Sequence, residues 1–162
     1  GLRNSKADIV SFVDSDGQYD PKDLQRLYEK LEPGKIVVGY RHPRVDNIFR
    51  LIISKSFKRL YEVLLKIKLN DPSCGYFMAY RNDIQEIINK EEIGFLKEGF
   101  WWEFYAWCVE GKLKIIEIPI NHFNRDYGNT VVFKIRKIPG IAYRNILGLF
   151  KLKNLISSST SS

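Results

Sequence analysis

Apolar and polar residues fall along this chain in blocks whose lengths separate strands from helices. Residues 7–13 read A-D-I-V-S-F-V, a short β-rich apolar run that stops at Asp14-Ser15-Asp16-Gly17. That pattern predicts a buried strand with a loop at its carboxyl end. Asp20-Pro21-Lys22-Asp23 then opens a helix, with Asp20 as N-cap and Pro21 at the first helical position. Leu24, Leu27, Tyr28 and Leu31 form one helical stripe, and Pro33-Gly34 ends it. Residues 35–40 form a second buried-type strand. A strand, helix and strand joined this closely make a βαβ unit, so the two strands are expected to be parallel.

Further on, residues 46–68 predict a long amphipathic helix whose stripe is Phe49, Ile52, Ile53, Phe57, Leu60, Tyr61, Leu64 and Leu65. Residues 74–80 predict a third strand, 82–90 a short helix, and 101–109 a helix stopped by Gly111. Residues 113–120 predict a fourth strand, and 131–152 a basic amphipathic stretch broken at Pro139-Gly140. The class is α/β. There is no internal repeat or linker, and the closing S-S-S-T-S-S is low in complexity and reads as a tail.

Composition narrows the picture only a little. A chain of 162 residues, 44% hydrophobic and 14% aromatic, is enough for one domain with a core. Lys and Arg outnumber Asp and Glu by 26 to 19, a net charge of +7 that favours an anionic partner: nucleic acid, membrane surface or phosphorylated ligand. Cys74 and Cys108 stand far apart with neither metal nor disulfide spacing, which points to a reduced, cytosolic setting. No apolar run approaches the ~18–20 residues that span a bilayer.

The chemistry concentrates after the first strand. Open α/β sheets bind ligands beyond the carboxyl ends of their strands. Asp14 and Asp16, one residue apart on such a loop, can share Mg²⁺ or Mn²⁺, with Gln18 offering a neutral oxygen on the same side. An isolated D-x-D is more often a turn or a helix cap. The wider string changes that balance. Residues 7–21 resemble the metal-binding segment A-D-x-V-x-x-x-D-x-D-x-Q-x-x-P of family-2, GT-A-fold glycosyltransferases, most closely the dolichol-phosphate mannose synthase or polyprenyl-phosphate glycosyltransferase branch. Further pieces follow in that branch's order. Gly39-Tyr40-Arg41 resembles its G-S-R, and Arg50 with Ser54 its R-x-x-x-S. Residues 71–76 (D-P-S-C-G-Y) resemble its D-x-x-S-G-F/Y, and Glu117-Ile118-Pro119-Ile120 with Arg125 to Thr130 its E-V-P-I and R-x-x-G-x-S.

The resemblance covers about residues 1–152 and implies a GT-A (Rossmann-like), mostly parallel sheet flanked by helices. It implies that this is the larger, C-terminal part of the domain, because nothing matches the family's first strand, its P-x-Y-N-E segment or its later acidic loop. Residues 153–162 are expected to be a disordered Ser/Thr-rich tail. Cys74 and Thr130 stand where the family has Ser.

The implied reaction is metal-dependent, inverting transfer of a hexose from a nucleotide-diphosphate sugar, GDP-mannose or UDP-glucose in type, to a polyprenyl or dolichyl phosphate. Asp14, Asp16 and Gln18 would hold the metal, with Asp16 and Arg125 catalytic. Arg50 and Ser54 lie four apart on one helix face, where a guanidinium and a hydroxyl together suit a phosphate. By resemblance Arg41, Arg50, Ser54 and Arg125 bind the acceptor phosphate and the donor diphosphate. Glu103 stands where the family often has a carboxylate near the sugar pocket, although a Glu near a helix N-terminus has a structural use as well. His42 and His122 lack partners at ligand spacing, and the aromatics of 100–107 read mostly as core.

A lipid acceptor demands membrane access. The basic, apolar-faced segments 46–68 and 134–153 suit peripheral attachment at the cytosolic face of a membrane. One competing reading is a transferase of the same superfamily acting on a saccharide or protein hydroxyl, which would need a general base. Another is a non-catalytic basic membrane-binding module, which leaves the ordered motifs unexplained. No nucleic-acid motif is present.

Overall fold

The computed structural model describes residues 1–44, 48–96, 98–123 and 138–159, and leaves undescribed the side chains of residues 50, 138 and 159. Among the described residues, four strands and five helices follow one another as β1 (Ile9–Phe12), α1 (Asp23–Tyr28), β2 (Lys35–Arg41), α2 (Ile48–Leu65), β3 (Phe77–Tyr80), α3 (Arg81–Asn89), α4 (Phe100–Glu110), β4 (Lys114–Ile120) and α5 (Ile138–Ser159). A 3-10 turn at Leu2–Asn4 precedes β1.

The sheet order is β1-β3-β2-β4. β3 runs antiparallel to both β1 and β2, and β2 pairs parallel with β4. Three of the four described strands therefore point one way, in a sheet of mixed pairing. The expected βαβ unit has its strands parallel but not adjacent, since β3 lies between them. The carboxyl ends of β1, β2 and β4 consequently share one rim.

Alternation along each strand divides the core between two faces. Ile36, Val38, Phe77 and Ala79 face α2, α3, α4 and α5, while Val37, Tyr76, Met78, Ile118 and Ile120 face α1. The first face is thick and aromatic. Phe104, Tyr105 and Trp107 of α4 are buried, Trp102 meets Phe57 edge-on at 4.3 Å, and Tyr61 donates to the Trp102 carbonyl at 3.0 Å. The second face is closed mainly by α1, where Leu27 is fully buried, Leu24 and Leu31 are half-buried, and Tyr28 is exposed. Two glycines permit close approach. A Cβ at Gly39 would lie 2.6 Å from the Ile120 side chain on β4, and one at Gly75 would lie 2.6 Å from the Trp101 indole nitrogen.

Four expectations are corrected. α1 begins at Asp23 rather than at Pro21. The Asp20 carboxylate instead accepts from the Lys22 amide at 2.9 Å, one turn ahead of the helix. Phe49 and Ile52 of the expected α2 stripe are exposed, with Ile48 beside them, so only the later part of that helix faces the core. α5 runs to Ser159, so residues 153–159 are helical rather than disordered. Leu152 is fully buried and Leu155 and Ile156 pack on the core, which extends the helix past the last buried turn. Pro139-Gly140 does not break it, because Pro139 falls in its first turn, where a missing amide costs nothing.

Candidate functional site at the carboxyl rim of the sheet

Two assemblies stand on the shared rim. The first is the turn after β1. Gly17, at φ 76°, lets the chain reverse there, and the Asp16 carboxylate accepts from the Gln18 amide at 3.2 Å. Asp14 is exposed and Asp16 half-buried. The turn is clasped to the residues that follow β4. The Phe123 amide donates to the Gln18 carbonyl at 2.9 Å, Gln18 Nε2 donates to the Phe123 carbonyl at 3.1 Å, and Tyr19 bridges to His122. Buried Asp23 adds a further tie by accepting from the Asn121 amide at 2.9 Å.

Two carboxylates on one tight turn fit a hard divalent cation that takes its remaining ligands from phosphate and water. Gln18, whose Nε2 is directed to the Phe123 carbonyl, would offer its side-chain oxygen as a neutral ligand beside them. Among the described residues there is no group of three or more His, Cys, Asp or Glu side chains that would cage a metal by protein ligands alone.

The second assembly follows β2. Arg41 is buried and donates to Asp71 through Nε at 2.6 Å and Nη2 at 2.9 Å, with a further bond from Nη2 to Ser73 Oγ at 2.6 Å. Ser73 Oγ in turn donates to Asp71 at 2.7 Å. Arg44 approaches the same carboxylate at 3.7 Å and donates to Ser54 Oγ on α2 at 2.9 Å. One carboxylate thus lies between two guanidiniums. Burial by itself would raise the Asp71 pKa, but the bonds and charge of Arg41, aided by Arg44 and Ser73, outweigh it and hold the group at about 2. The Arg41 charge is likewise disfavoured by burial and more than restored by Asp71.

Tyr19 lies between the two assemblies. Burial pushes its phenol well up, and it senses Cys74, Arg41 and Asp14. Its hydroxyl stands 3.9 Å from the buried Cys74 thiol, which burial pushes up to about 12. That thiol is a packing group and not a nucleophile.

Of the residues expected at the site, Asp14, Asp16, Gln18, Arg41 and Ser54 are brought to this rim. Arg125 lies outside the described residues, as does the Arg50 side chain; the Arg50 backbone is in α2, one turn before Ser54. Glu103 is fully buried. Its oxygens accept from the amides of Gly94 at 2.8 Å and Leu96 at 3.0 Å, which ties α4 to the preceding loop. Its pKa is raised, with burial the leading cause and those amides opposing it. Sequence reasoning missed Arg44 and gave Asp71 no role of its own. Arg44 was hidden in a loop with no periodicity; the signal for Asp71 was present, as the first residue of the D-P-S-C-G-Y string.

A model described as glycosyl transferase family 2 matches residues 1–88. An undecaprenyl-phosphate 4-deoxy-4-formamido-L-arabinose transferase of Klebsiella pneumoniae is 29% identical over 135 residues, 80% of this chain and 38% of that protein. A polyprenol monophosphomannose synthase of Mycolicibacterium smegmatis is 26% identical over 79% of this chain and 50% of its own length. An undecaprenyl-phosphate mannosyltransferase of Micrococcus luteus is 27% identical over 76% of this chain and 52% of its own length. The chain therefore spans about half or less of the curated relatives it matches.

Proposed function

Because this chain belongs to glycosyl transferase family 2, we propose that it supplies the metal loop and acceptor side of an enzyme moving a hexose from a nucleotide-diphosphate sugar to a polyprenyl phosphate. The observation that carries this reading is the Arg41–Asp71–Arg44–Ser54 cluster, on the same rim as Asp14 and Asp16. The relatives' names speak of undecaprenyl-phosphate and polyprenol transferases and agree with it.

Asp14 and Asp16, with Gln18, would hold Mg²⁺ or Mn²⁺, which when bound neutralises charge on the leaving diphosphate. The chain's own part is positioning. Ser54 and the Arg44 guanidinium offer hydrogen-bond donors to a phosphate arriving over α2, with Arg50 and Arg125 as further donors. Arg41, fixed by Asp71, contributes a buried positive charge that needs no rearrangement when an anion arrives. A phosphate acceptor is already ionised at neutral pH, so no general base is called for. Most of the rate enhancement then comes from holding two anionic substrates in line.

Access to a lipid acceptor would come from the apolar surface of two helices in contact. Ile48, Phe49 and Ile52 at the start of α2, and Tyr143, Leu147 and Phe150 on α5, are exposed. Among the described residues no helix is long and apolar enough to cross a membrane. Peripheral attachment at the cytosolic face, in the manner of an amphipathic helix, suits this surface.

The test is transfer from radiolabelled GDP-mannose and UDP-glucose to undecaprenyl phosphate, with Mg²⁺ or Mn²⁺. Label extractable into organic solvent, and lost in D16A, is expected. Label appearing only on a soluble saccharide would overturn the lipid acceptor and favour a sugar-hydroxyl transferase.

A further inference from the structure

Glu117 belongs to a motif for which the site has so far found no use. It sits mid-strand in β4, opposite Val38 of β2. The alternation of β4 puts it on the face of Ile115, which packs against the aromatic core. A carboxylate there gives up part of its hydration, and its pKa is raised by that burial, opposed by the Asn70 and Asp71 amides and by Lys58 of α2. An apolar residue would fit the pattern better, so the carboxylate needs another explanation.

Its hydrogen bonds provide one. One Glu117 oxygen accepts from the Asn70 backbone amide at 2.7 Å, and the other accepts from Asn70 Nδ2 at 3.1 Å. Both bonds go to a single residue, the one just before Asp71. The exposed Asn70 is thus gripped at backbone and side chain, and the next residue turns inward with its carboxylate between Arg41 and Arg44. The turn closes with the Cys74 amide donating to the Asp71 carbonyl at 3.1 Å.

We propose that Glu117 is a positioning residue for the rim cluster: it reaches from β4 to hold Asn70, and so fixes the register of Asp71 between the two arginines. The anion-binding consequence rests on the reading of that cluster as the acceptor-phosphate site, whereas the register itself does not. Its hydrogen bonds go to Asn70, so Glu117 acts on the arginines through the 70–73 turn.

Two measurements on the full chain separate these claims. Nitrogen-15 NMR follows hydrogen exchange of the Asn70 amide and the Arg41 Nε–H, which reports the Arg41–Asp71 pair without any ligand. Calorimetric titration with citronellyl phosphate, a short soluble prenyl phosphate, reports anion binding, with inorganic phosphate as the control for a bare phosphate site. In E117A both protons should exchange faster and affinity for citronellyl phosphate should fall about tenfold. E117Q, which keeps an acceptor for the Asn70 amide, should restore affinity to within about threefold of the parent. Should E117A fail to fold, N70A, which removes only the Nδ2 bond, is expected to lose about threefold.

Unchanged exchange at Arg41 in E117A or N70A would overturn the proposal, as would an E117Q as impaired as E117A. If the parent chain binds neither phosphate, the acceptor-site reading falls, and the exchange data still decide the register.

Discussion

The turn after β1 and the cluster after β2 share a rim and are built in opposite ways. Asp14, exposed, and Asp16, half-buried, are carried on a glycine-reversed turn anchored through backbone bonds to His122 and Phe123. Arg41 and Asp71 are buried and locked side chain to side chain, with Ser73, Arg44 and Ser54 around them. On the proposed reading the difference follows from what each must do. A metal loop exchanges ligands with water and substrate, so its oxygens stay near solvent while its backbone is held. A guanidinium that stabilises an anion works best when already fixed in a low-dielectric setting, and it can be fixed there only with a counterion.

If that contrast is right, substitutions should divide cleanly between stability and activity. The largest effect is expected from D71A, which strands the buried Arg41 charge. Urea denaturation should show a loss of about 3–5 kcal/mol. A loss below about 1 kcal/mol would mean that the pair is solvated and the contrast false. D16A should do the reverse, lowering transfer on the order of 100-fold while its melting temperature stays within a few degrees of the parent. Comparable destabilisation in D16A would make the first turn as structural as the second assembly.

Acid titration sharpens the comparison further. The folded Asp71 pKa of about 2 lies below its ordinary value. The stability it confers is therefore complete above pH ~4 and fades as pH falls toward 2, amounting to roughly 2 kcal/mol. Unfolding followed from pH 5 to pH 2 should show this slope in the parent and lose that share of it in D71N. The smallest effect is expected from S54A, which removes one partly buried hydrogen bond to Arg44. It should cost about 1 kcal/mol or less in stability, and several-fold in affinity for a prenyl phosphate measured by calorimetry.

Much of this could be read from the sequence, for identifiable reasons. Short apolar runs with abrupt polar stops marked β1, β2 and β4, and the motif strings brought Asp14, Asp16, Arg41 and Ser54 to one rim. What escaped depended on contacts between distant residues. Nothing local in residues 74–80 says that the third strand enters between the first two, because strand order is decided by which edges remain to be covered. The Arg41–Asp71 pair spans 30 positions, and Arg44 sits in a loop without periodicity. The exposure of Phe49 and Ile52 was also illegible, since an amphipathic stripe looks the same whether it covers a core or faces outward.

The insertion of β3 between β1 and β2 sets a timetable for the growing chain. β1 has no sheet neighbour among the described strands until residues 77–80 are made, and β2 gains its parallel partner only with residues 114–120. The I-V-V run of β2, almost wholly buried in the finished sheet, therefore leaves the ribosome long before its neighbours exist. Such late, non-local closure slows folding and prolongs exposure of a sticky strand. Newly made chains should accordingly depend on chaperones during synthesis more than the stability of the finished sheet would suggest.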